Sequence, residues 1–149
     1  MNAFVAAGAG FLLAVLWFDL MFDVQVRGHD EAVLPDAVLV SIAGYYARVT
    51  TASRPMNRLI AAVMLATVGA VVVQIADGDD PSWVGWASLP LAFVAIGLAR
   101  VRTVPNAVRL GARADSAGHQ SALARSILRD HIACFAAIGA LLALQLAAS

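Results

Sequence analysis

The stretch LWFDLMFDVQVRG, residues 16–28, sets Asp19 and Asp23 four positions apart at the end of an apolar run. On a helix, residues i and i+4 share a face, so the two carboxylates point the same way. A second concentration of reactive side chains stands in LRDHIACF, where Arg129, Asp130 and His131 follow one another. Carboxylates beside an imidazole can pass protons, act as general base, or clamp helices through ion pairs. An ionised Asp at the centre of a membrane helix costs roughly 2.5–3.5 kcal/mol on insertion scales, and less near an end. A chain that accepts this cost needs partners for the charge. The candidates are Arg54, Asn57 and Arg58 before the second apolar run, Arg100, Arg102 and Asn106 after the third, and Arg129, Asp130 and His131 before the fourth. These groups are expected to meet Asp19 and Asp23 at one depth as a polar mouth. Were that mouth catalytic, Asp19, Asp23 and His131 would be its acids and bases.

The elements that position these groups follow from composition. The 149 residues are 61% hydrophobic and only 13% charged, where a soluble domain carries about a quarter charged residues. Four runs approach the roughly 20 residues that cross a bilayer: 3–22, 59–76, 83–99 and 132–148. Period-two alternation is absent, which argues against a barrel. The expectation is one all-α domain, a four-helix membrane bundle with polar connections at 23–58 and 100–131. Within the first connection, Pro35 suits a first helical turn, and Leu34, Val38, Ile42, Tyr45 and Val49 share one helix face. This predicts an extra interfacial helix with Tyr45 and Tyr46 at head-group depth. In the second, Pro105 and Asn106 mark a break, and helical spacing from about Gln120 extends the fourth span past the bilayer. RPMNRL (54–59) and VPNAVRL (104–110) faintly echo each other.

All ten basic residues are arginines, and threading four spans puts every one on the same side. The other side holds the termini and Asp77, Asp79 and Asp80. By the positive-inside rule, the arginine side faces the cytoplasm and both termini lie outside, in an inner membrane. The first span has no positive residue ahead of it and no A-x-A site in a polar flank, so it is expected to be retained rather than cleaved. Small residues recur every fourth position at Ala6, Gly10, Ala14, at Ala62, Ala66, Ala70 and at Gly139, Ala143, Ala147, a pattern for close packing within the bundle or an oligomer seam.

Several classes of chemistry lack their signatures. No H-x-x-x-H or E-x-x-H pair lies on a span, and Cys134 is alone, so no metal site is expected; His29 and His119 read as solvated loop residues. Nucleophile elbow, P-loop and dinucleotide fingerprints are missing, and no nucleic-acid-binding fold is present. Nothing specifies a cofactor.

The layout of four spans, with RPMNRL heading the second and LRDHIACF heading the fourth, resembles the small bacterial membrane proteins related to anthrone oxygenases. The resemblance rests on Asn57–Arg58 and Arg129–Asp130–His131. It implies a four-helix membrane fold and, as in some members, cofactor-free oxygenation of polyketide anthrones; span four here lacks the tryptophan that family carries near its last span. From the residues themselves, the leading expectation is a non-catalytic multi-pass subunit or scaffold, homo-oligomeric or bound to a membrane-protein partner. Its arginine-rich mouth would dock that partner or anionic lipid in the bilayer. The alternative is a membrane oxidoreductase or oxygenase acting on a hydrophobic small molecule at the mouth.

Overall fold

A computed structural model describes residues 2–78 and 81–148, apart from the Arg54 side chain. Helix α1 covers Asn2–Asp23 and ends in a 3-10 turn, Val24–Val26; α2 is Asp36–Tyr46, α3 Arg54–Ala76, α4 Trp83–Leu98, α5 Val104–Ala112 and α6 Ala117–Ala147. No strand occurs among the described residues. Four stretches are long and apolar enough to cross a membrane: Asn2–Val26, Pro55–Ala76, Trp83–Ala112 and Ala117–Ala147. The chain is therefore read as a membrane protein built on four candidate spans.

Helix α6 has 31 residues, about 46 Å at 1.5 Å per residue, and about a third of that length is in excess of the roughly 30 Å a hydrocarbon layer requires. It starts three residues before the expected Gln120, because Ser116 caps it: the Ser116 Oγ accepts from the His119 N–H at 3.4 Å. On the N-terminal third of α6, α2 and α5 pack through Leu39, Ile42, Tyr46, Leu110, Leu123 and Ile127. A second apolar core, with Val5, Leu12, Val71, Ile138 and Leu141, lies among α1, α3, α4 and α6. The molecule is thus a four-helix bundle carrying a helical cap at its arginine-rich end.

The helix expected after Pro35 is α2, and its buried face is Leu39, Ile42, Ala43 and Tyr46. Val38, Tyr45 and Val49 are only partly buried against the same core, so the face is turned by about one residue from the expected stripe.

The break expected at Pro105 and Asn106 is not there. The backbone continues from α4 through a π-turn, Ala99–Thr103, directly into α5. Pro105 falls in the first turn of α5, directly after the π-turn. The widened turn absorbs the change of register, and the Thr103 hydroxyl donates to the Leu98 carbonyl at 3.3 Å. The true break is Arg113, at φ 51°. RPMNRL has the same setting: a π-turn, Ala47–Ala52, precedes it, and the Thr50 hydroxyl donates to the Tyr46 carbonyl at 2.6 Å. The faint echo is thus a π-turn ahead of each proline, followed by a non-helical Ser53 in the first case and by an unbroken helical backbone in the second.

Apart from Ala70, which packs against the second core, and a half-buried Ala6, the small-residue stripes lie off the bundle's close contacts. A Cβ on Gly10 or Gly139 would meet nothing, and Ala14, Ala62, Ala66, Ala143 and Ala147 are exposed. The helices approach instead where Gly8 of α1 meets Thr67 of α3, and where Gly85 of α4 meets Ile75 of α3. Spacing permits a close approach, but the facing side chain decides where it occurs.

A candidate site of carboxylates, imidazole and phenols

Where α1 leaves the bundle, Asp19 and Asp23 face α6 and α2 together. His131 Nδ1 lies 2.6 Å from Asp23 Oδ2, and its Nε2 lies 3.8 Å from Asp19 Oδ2. The remaining carboxylate oxygens accept from tyrosines: the Tyr46 hydroxyl donates to Asp23 Oδ1 and the Tyr45 hydroxyl to Asp19 Oδ1, each at 2.6 Å. Asp23 is fully buried, and Tyr46 and His131 are nearly so. The Tyr45 ring stacks on Phe22, centroids 4.0 Å apart and planes within 10°.

Local sequence explains the convergence. Adjacent tyrosines at the C-terminus of α2 splay to different partners, with a T-shaped contact between their rings. Gly111 brings α5 against the backbone at Tyr46 and Ala47; a Cβ there would lie 2.8 Å from the Ala47 nitrogen. The phenols are held in their protonated form: burial pushes both far above the usual tyrosine range, and the neighbouring Asp19 and Asp23 charges push further.

Beside this network, Asp130 pairs with Arg102 at 2.9 Å while its second oxygen, Oδ2, is buried without a partner among the described residues. Arg102 also reaches the Ser126 hydroxyl at 3.3 Å, as does the Asn106 amide at 3.5 Å. Asn57 donates to the Thr50 carbonyl at 2.8 Å, on the π-turn. Arg58 and Arg129 are exposed and have no ion pair among the described residues. The Arg54 side chain lies outside the described residues. Of the eleven residues expected to cluster, Asp19, Asp23 and His131 form one group, while Asp130, Arg102 and Asn106 form a second around Ser126; Arg100 is exposed and joins neither. His119 is exposed, but His29 is not simply solvated: its Nδ1 is buried without a partner among the described residues. Among the described residues, no three His, Cys, Asp or Glu side chains are spaced to hold a metal ion.

Sequence reasoning missed the tyrosines as carboxylate partners. It also missed a second polar layer at the opposite end. There Gln145 donates to Gln74 at 3.1 Å and to Ser88 at 2.9 Å, Gln74 donates to Asn2 at 2.7 Å, and Asn2 donates to the Ala148 carbonyl at 2.9 Å. The available signal was a lone glutamine near the end of each of two apolar spans. Comparison with protein-family models, with curated proteins and with solved structures finds no match to this chain.

Proposed function

We propose that this chain is a non-catalytic membrane subunit whose arginine-rich end is a docking face, with the carboxylate–imidazole–phenol network as the lock that holds the cap on the bundle. The observation that carries this reading is closure: three contacts of 2.6 Å join α1, α2 and α6, and both oxygens of each carboxylate face a tyrosine or His131. A group so engaged has little left to offer a substrate, whereas breaking a buried pair leaves an uncompensated charge. In this reading the docking face lies on the cytoplasmic side of an inner membrane, by the arginine distribution.

A second reading draws on one distance. With Nδ1 held by Asp23, His131 presents Nε2 towards Asp19 across 3.8 Å, the arrangement of an imidazole base oriented by a carboxylate. Asp19 and His131 would then handle a proton on a hydrophobic small molecule entering from the bilayer.

Purified Asp19→Asn and His131→Ala proteins, compared with wild type for thermal stability and oligomer size in detergent, separate the two. A lock predicts that both variants melt earlier and lose the cap, read as faster amide exchange in α2. Wild-type stability in both would sink the lock and favour the proton-handling site.

A further inference from the structure

We infer that the docking face binds the phosphate head groups of anionic phospholipids through Arg27, Arg48, Arg58, Arg100 and Arg129; this rests on the docking-face reading and names its partner.

Nine arginines have described side chains, and they divide cleanly by employment. Four are used internally. Arg102 pairs with Asp130, Arg109 with Asp115 at 2.9 Å and Arg113 with Asp36 at 2.7 Å. Arg125 donates to the carbonyls of His29, Glu31 and Ala32. The other five are exposed and have no ion pair or side-chain hydrogen bond among the described residues.

Those five share a level although they come from five elements. The contacts Asp19–Tyr45, Asp23–Tyr46, Asp23–His131 and Arg102–Asp130 place α1, α2, the second π-turn and α6 in one polar layer. Thr50 and Asn57 tie the start of α3 to it through the Tyr46 and Thr50 carbonyls. Arg48, Arg58, Arg100 and Arg129 each lie within two residues of a member of this layer, and Arg27 lies four past Asp23. The layer sits where α1 and α4 end and α3 begins, at the level where the charge-free apolar runs 83–99 and 132–148 stop within the longer candidate spans Trp83–Ala112 and Ala117–Ala147. In the docking-face reading, with the charge-free runs inside the hydrocarbon, that level is the depth of lipid phosphates. A guanidinium offers paired N–H donors matched to phosphate oxygens, and five unpaired cations around one rim complement an anionic leaflet. An acidic soluble protein would be met better by arginines on the outer surface of the cap, but Arg109 and Arg113 there are already paired.

The test is native mass spectrometry of the detergent-purified chain, titrated with phosphatidylglycerol or phosphatidylcholine. Wild type should prefer the anionic lipid, with the preference falling as salt rises. Arg58→Gln and Arg100→Gln should each cut it roughly fivefold, the equivalent of about 1 kcal/mol of surface attraction per arginine; Arg109→Gln should leave it unchanged. Arg129→Gln serves as a further variant should either of the first two lose helicity by circular dichroism. Equal binding of the two lipids by wild type, or an equal loss in Arg109→Gln, overturns the inference. Neither result bears on the lock, whose failure is read independently from the stability of Asp19→Asn.

Discussion

Tyr46 joins two requirements in one side chain: its ring fills the cap core while its hydroxyl satisfies a buried carboxylate. Tyr46→Phe keeps the ring and removes the donor. A hydrogen bond to a charged group contributes about 1.5–3 kcal/mol, and thermal unfolding in detergent should show a loss of that size. The same phenols predict behaviour at alkaline pH. Tyr45 and Tyr46 are the only tyrosines in the chain, and their folded affinity for the proton exceeds the unfolded one. Their contribution is complete below the unfolded value of about 10 and declines as pH rises above it. Tyrosinate ultraviolet absorbance should therefore appear only together with unfolding; ionisation of the folded protein near the ordinary value would contradict the buried placement. The shared face of Asp19 and Asp23, and the approach of His131, were legible from spacing and from the ends of the apolar runs. The tyrosines were not, since they lie 26 and 23 positions away from their carboxylates and only the folding-back of α2 brings them there. Arginines looked the natural partners by charge, yet a guanidinium is costly to strip of water, whereas a phenol buries its ring favourably and still donates a hydrogen bond.

Among the elements, the contacts that fix spacing are few and specific. Gly111→Ala pushes a methyl group into the backbone of Ala47, which cannot rotate away. Overpacking of this kind costs about 1–3 kcal/mol and should loosen the cap, measurable as a lower melting temperature with faster exchange in α2 and α5. Gly139→Ala faces open space, and the better helix former should raise stability by up to about 1 kcal/mol. Equal effects of the two substitutions would show that these helices do not approach as described. Helix beginnings at Pro35 and Pro55 could be read from the sequence because proline suits a helix start; Pro35 stands just before α2 as its N-cap and Pro55 lies in the first turn of α3. Pro105 obeys the same rule, but its helix follows another without a loop, and only a π-turn makes that possible. Such a turn has no sequence periodicity to announce it.

For the whole molecule, the two ends of the bundle are closed by unlike chemistries, charged and phenolic groups at one and amides at the other. Gln145→Leu deprives Gln74 and Ser88 of a partner, and interhelical bonds of this type in membranes average about 0.6 kcal/mol with a maximum near 1.7. A small drop in melting temperature is expected, and none at all would mean that the amide layer is dispensable. The number of spans was evident from hydropathy, while the pairing across them was not, because lone glutamines do not say which helix they face. The two closures carry a mechanical consequence. His131 and Gln145 stand 14 residues apart on α6, about 21 Å along a single rigid helix. Sliding α6 by one turn, about 5.4 Å, would break both closures at the same moment and offer neither a substitute partner of its own kind. Such a bundle behaves as a bolted frame rather than a piston, so any signal or cargo that crosses it must do so without axial travel of its longest helix.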